Sequence, residues 1–94
     1  MVDPWNFLSD VPPEKSFWFC NGTVVRNIYE LVNEIEFMKI WDFVYHVNQD
    51  NRKNDFAKWV RDVLGDHALA LKLEKILDRK KYSEVIRKRI KEFE

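Results

Sequence analysis

The chain has 94 residues, and its 16 basic and 16 acidic side chains cancel to a formal net charge of zero. That length allows one domain with a modest core, and the 46% hydrophobic, 34% charged composition excludes a disordered or membrane-spanning chain. The zero excludes a globally basic nucleic-acid binder, but it conceals a polarity: from Lys72 onward nine basic residues face five acidic ones, so that end carries net +4 and the first 71 residues net −4.

The N-terminal 1–14 read as an extended arm, because Asp3-Pro4 and Val11-Pro12-Pro13 interrupt regular structure. Its start, Met-Val-Asp-Pro-Trp, has neither the basic nor the apolar region of a signal peptide. Within the arm, Trp5, Phe7 and Leu8 are too apolar to face water without a partner, either the chain's own core or a second molecule. Ser16-Phe17-Trp18-Phe19-Cys20 and Thr23-Val24-Val25-Arg26 flank Asn21-Gly22, a pattern that predicts a β-hairpin over about 16–26 closed by a two-residue type I′ turn.

Asn27 then offers a helix N-cap with Glu30 as its capping-box partner, and Ile28, Leu31, Val32 and Ile35 share one apolar face. A second helix over about 38–47 is apolar nearly all round, which predicts the central helix of the fold. After the polar loop 48–53, Asn54 or Asp55 caps a third helix with Phe56, Trp59, Val60, Val63 and Leu64 at core spacing, and Gly65 ends it. Asp66 caps a fourth helix, with Leu69, Ala70, Leu73, Ile76 and Leu77 facing inward. Ser83 is the expected cap of a basic last helix. The expectation is an α+β fold, mostly helical: one N-terminal hairpin packed on about five short helices, forming a single domain over 15–94.

Tyr45-His46-Val47, followed by Lys53-Asn54-Asp55-Phe56-x-x-Trp59-Val60-x-Asp62-Val63-x-Gly65-Asp66-x-x-Leu69-Ala70, resembles an uncharacterised domain family widespread in archaea and bacteria. The resemblance extends over roughly 15–78, with 54–66 as its specific part. It implies the fold and a prokaryotic cytoplasmic origin, and it carries no activity. The arm and the basic last helix lie outside it.

No residue pattern fixes a reaction. His46 sits beside Tyr45 on an apolar helix, where a core histidine bonded to Asp55 or Asp62 competes with an acid–base role. A pocket of His46, Asp55, Trp59 and Asp62 would suit a small polar ligand. His67 is the second and last histidine, Cys20 is the single cysteine, and no paired ligand spacing exists, so no metal is expected. Asp62 and Asp66 are four apart, but capping explains Asp66 better than paired-carboxylate chemistry does. Cys20 has no basic neighbour in sequence and is expected to be a buried, inert thiol. It cannot form an intrachain disulfide, which fits a reducing cytoplasm. With only Gly22 and Gly65 available, a phosphate-binding glycine loop is impossible and no cofactor is expected.

Two surfaces remain. Arg79, Lys80, Lys81, Arg87, Lys88 and Lys91 form a basic end that could touch ribosomal RNA phosphate, although nothing there would give free-DNA specificity. The dense aromatics, 15% of the chain, exceed what a small core absorbs, and this favours a non-enzymatic cytoplasmic interaction module. It is expected to be homodimeric, with Trp5, Phe7, Leu8, Ile86, Ile90 and Phe93 at the contact. Another protein or a ribonucleoprotein is the alternative partner.

Overall fold

A computed structural model describes residues 3–48 and 52–94. Its elements in order are α1 (Pro4–Leu8), a 3-10 turn (Pro13–Lys15), β1 (Phe17–Trp18), β2 (Val24–Val25), α2 (Ile28–Phe37), α3 (Ile40–His46), β3 (Val47–Asn48), β4 (Lys53–Asn54), α4 (Asp55–Trp59), α5 (His67–Leu73) and α6 (Arg79–Phe93). The fold is α+β and helix-dominated, with two short antiparallel strand pairs, β1–β2 and β3–β4.

The arm is not extended. Asp3 accepts the Trp5 N–H at 3.0 Å and Pro4 occupies the first helical position, so Asp-Pro starts a helix here rather than breaking one. Further on, the Val11 N–H reaches the Arg26 carbonyl at 2.7 Å and ties the segment to the hairpin.

The hairpin is present, but its turn differs from the expected one. Phe17 pairs with Val25 and Trp18 with Val24, so the loop is the three residues Cys20, Asn21 and Gly22. Gly22 alone there has positive φ, at 92°. A two-residue turn would have placed Arg26 opposite Phe17. The observed register puts Val25 there instead and leaves Arg26 in solvent, which is how a buried face selects register.

α2 follows its sequence signals. Asn27 accepts the Glu30 N–H at 2.8 Å, while the Glu30 carboxylate reaches back to the Arg26 N–H at 2.9 Å, one residue earlier than in the usual capping box. Ile28, Leu31, Val32 and Ile35 are all fully buried, and α2 packs most extensively on α6.

α3 is not the central helix. Phe43 and His46 point inward, but Ile40, Trp41, Val44 and Tyr45 are exposed. Its inner face is only two side chains wide because α2 and α6 already fill the interior. The polar segment after it pairs Val47 with Asn54 and Asn48 with Lys53; its middle, 49–51, lies outside the described residues.

Asn54 caps α4, whose axis widens into a π-helical turn over Val60–Leu64 before Gly65, at φ 77°, ends it. Asp66 caps α5 and is itself almost fully buried, where Arg89 from α6 grips both its oxygens at 2.7 and 3.1 Å. α5 stops at Leu73, so Leu77 is exposed rather than inward-facing. α6 begins earlier than expected. Asp78 is its cap, accepting the Lys81 N–H at 2.8 Å, and the helix runs through Tyr82 and Ser83. Ser83 is buried with its hydroxyl bonded to the Lys80 carbonyl at 2.9 Å, an interior helical position rather than a cap. Four inward-facing apolar residues (Tyr82, Ile86, Ile90 and half-buried Phe93) keep the helix continuous.

The buried side chains form one cluster, centred on the ring of Phe56. Phe17 and Phe19 approach it at 5.2 and 5.5 Å between centroids, His46 at 5.1 Å, Tyr82 at 5.8 Å and Phe43 at 6.1 Å. Phe56→Ala is expected to destabilise the protein by about 3–5 kcal/mol, read as a lower urea midpoint, whereas Trp5→Ala, on an exposed ring, should stay within about 0.5 kcal/mol. Equal effects from both substitutions would contradict this assignment of the core.

Candidate functional site

His46 ends α3 beneath the hairpin and is 3% exposed. Its Nε2 accepts the Cys20 N–H at 3.0 Å, which places the ring proton on Nδ1. Nδ1–H then donates to the Asp55 carboxylate at 2.9 Å, and the Lys53 ammonium reaches the same oxygen. Both ring nitrogens are therefore occupied by partners inside the protein. The histidine clasps the hairpin, α3 and α4 together and has no free nitrogen with which to move a substrate proton.

The expected four-residue pocket is divided. Asp55, Trp59 and Asp62 line a hollow of about 310 Å³ together with Phe17, Trp18 and Lys58. His46 lies behind them and does not line it. Trp59 is buried, and its indole N–H donates to the Lys15 carbonyl at 2.8 Å. Trp59 thus acts as a core residue that pins the 3-10 turn, and it presents little surface to a ligand.

Cys20 is exposed, not buried as expected, since it occupies the hairpin loop. Partial desolvation and the neighbouring Asp42 carboxylate push its thiol up, so it stays protonated at neutral pH and is a poor nucleophile. Among the described residues no group of three or more His, Cys, Asp or Glu side chains could hold a metal ion, and no helix is long and apolar enough to cross a membrane.

The proposed contact residues separate by burial. Phe7 and Ile86 are fully buried and Ile90 nearly so, while Phe7 meets Phe93 edge-on at 5.1 Å. These side chains build the monomer's own core and offer no surface to a second molecule. Leu8 and Phe93 are half-buried against the same cluster, and Trp5 alone of the six is fully displayed.

The basic end is similarly reduced. Arg79 donates to the carbonyls of Ile35 and Glu36 and so closes the C-terminus of α2. Arg87 forms a two-point bond to Glu36, at 2.6 Å for each contact. With Arg79, Arg87 and Arg89 engaged inside the molecule, only Lys80, Lys81, Lys88 and Lys91 remain on that side, diluted by Glu84 and Glu92.

Two features escaped sequence reasoning. One is the outer face of α3, whose signal was its all-round apolarity, read as burial. The other is a cleft of about 650 Å³ between the β3–β4 pair, α4 and the end of α5. Its charged residues are scattered over 52–75, and no local pattern announces them.

A family model matches residues 40–93: a family of unknown function, DUF5752. The match spans more than half of the chain. The chain belongs to DUF5752. No curated protein and no solved structure matches it. The DUF5752 match takes in α6, which the sequence resemblance left outside, and begins after the hairpin, which that resemblance included. It contains the outer face of α3 and the whole cleft.

Asp55→Ala should cost about 1–3 kcal/mol, because it leaves the His46 Nδ1–H buried without an acceptor. Asp55→Asn keeps a side-chain carbonyl at that position and should cost distinctly less in the same denaturation experiment; equal losses would deny the bond its role. For Glu36, hydrogen bonds from Arg87 hold the carboxyl below the ordinary glutamate range. Its folded value being the lower one, the contribution is complete above the unfolded value and fades as pH falls through the folded value. Arg87→Gln should therefore lose under about 1 kcal/mol at pH 7. That difference from the parent should vanish in acid, as measured by thermal melts across pH; a difference constant down to strong acid would refute it.

Proposed function

We propose that this DUF5752 protein is a non-enzymatic, cytoplasmic interaction module that acts as a homodimer, with the outer face of α3 as its contact surface. One observation carries the reading. On α3, Ile40 is 51% exposed, Trp41 78%, Val44 43% and Tyr45 57%, and Phe37, at the end of α2, is 79% exposed. Helical spacing puts Ile40, Trp41, Val44 and Tyr45 on one side, opposite the buried Phe43 and His46.

Monomers seldom expose contiguous apolar patches beyond a few hundred Å². Three aromatic rings of about 150–250 Å² each, more than half exposed, reach that size before the aliphatic residues are added. Such a ridge suits the centre of an interface of about 800 Å² per partner. A second copy is the favoured occupant because the chain's formal net charge is zero, so two copies meet without net repulsion, and because an isologous two-fold contact needs only one such face. The lone cysteine, exposed and unpaired, suits a reducing compartment.

Light scattering at high micromolar concentration should give twice the 11.5 kDa chain mass, and Trp41→Glu should give a folded monomer, whose melting temperature no longer rises with protein concentration as the parent's does, since the ring is outside the core. A parent protein that stays monomeric ends the proposal. A dimer that weakens steeply with salt would place the contact on the charged ends of the molecule instead of α3.

A further inference from the structure

The cleft of about 650 Å³ is lined by Arg52, Lys53, Lys58, Arg61 and Lys75, with Asp55 and Glu74 as its acidic members. These seven side chains carry net +3 in a chain whose formal net charge is zero. Internal pairing does not absorb the excess. Lys53 meets Asp55, and Arg61 meets Glu74 at 3.1 Å. Among the described residues, Arg52, Lys58 and Lys75 have no carboxylate partner within ion-pair distance.

We propose that this cleft binds a small ligand through a phosphate or diphosphate group. The size of the cleft falls within the roughly 300–1,000 Å³ of small-molecule sites, and a concave wall concentrates the field of like charges lining it. Three unpaired cations match the two to three negative charges of a diphosphate, whereas a single carboxylate would leave most of them unneutralised. Arginine forks and mobile ammonium groups are the side chains that phosphate oxygens favour.

Arg52, a turn residue at a positive φ of 50°, also lines the cleft and is exposed. The exposed Leu77 also lines the cleft and gives the organic part of such a ligand an apolar contact.

The test titrates inorganic pyrophosphate into isotopically labelled protein at low salt and follows backbone amide shifts, with acetate as the comparison anion. Saturable shifts at Arg52, Lys58 and Lys75 are expected, with acetate producing none at equal concentration. The double variant Lys58→Gln/Lys75→Gln, at two exposed positions without ion pairs, should fold normally and bind pyrophosphate at least about tenfold more weakly. Lys88→Gln/Lys91→Gln, on the far helix, should bind as the parent does. The proposal fails if pyrophosphate produces no saturable shift in the cleft, if acetate binds equally well, or if both double variants lose affinity alike.

Discussion

The ring of Phe56 is the contact on which the rest of the structure depends. It is reached by Phe17 and Phe19 from the hairpin, by Phe43 and His46 from α3 and by Tyr82 from α6, so segments distant in sequence are joined at one side chain. Aromatic packing is directional but permits sliding, and the polar groups around the cluster remove that freedom. His46 bonds the hairpin backbone and Asp55, the Tyr82 hydroxyl bonds Asn54, and Asn54 in turn donates to the Leu73 carbonyl at 3.0 Å. Burial holds the Tyr82 hydroxyl well above its ordinary range, so it remains a donor throughout the physiological pH span. Residues of types that elsewhere perform acid–base chemistry here fix the register of a small core.

Local signals were legible wherever one residue type satisfies one backbone need. Asn27, Asn54 and Asp66 cap helices as their spacing indicates, and Gly65 ends α4 because only a left-handed residue fits there. The failures share a cause: they required knowing what the third dimension supplies. A one-residue change in the hairpin loop followed from the need to keep Arg26 out of the core. Ser83 has a capping side chain, but the apolar stripe running from Tyr82 to Phe93 kept the helix intact across it. α3 is the most instructive case. Its apolar content predicts burial only if the interior has room, and α2 and α6 had already taken that room. The same competition explains why Phe7, Ile86 and Ile90, chosen from sequence as contact residues, became core while Trp41 did not.

The charge pattern changes meaning in three dimensions. The basic C-terminal quarter is not a free patch, because its arginines serve the fold: Arg79 closes α2, Arg87 holds Glu36 and Arg89 neutralises buried Asp66. Removing one member of the Asp66–Arg89 pair would strand a charge in the interior, and for this reason such a pair resists substitution even where it adds little net stability. Lysines, more strongly hydrated and less suited to two-point bonding, are left at the surface. Besides the surface lysines of α6, unpaired positive charge gathers along the β3–β4 pair, α4 and the end of α5, where residues far apart in sequence meet.

Lys53 links the two surfaces that the function reading and the cleft proposal invoke. Its ammonium lies 4.3 Å from the centre of the Tyr45 ring, on the exposed face of α3, while pairing with Asp55 at the wall of the cleft. An anion that draws Lys53 inward withdraws a cation from the face on which a second copy would rest. Removing that charge makes the Tyr45 end of the ridge more apolar and cheaper to desolvate. If both proposals hold, linkage makes the effect mutual: a partner that covered Tyr45 and released Lys53 from the ring would strengthen anion binding in the cleft by the same factor. The size of that factor is bounded by what one surface cation contributes at a ring, about 0.5–1 kcal/mol, so the coupling is a modulation and not a switch. Its physical route is a single side chain that touches both surfaces at once, the Tyr45 ring on one side and Asp55 on the other.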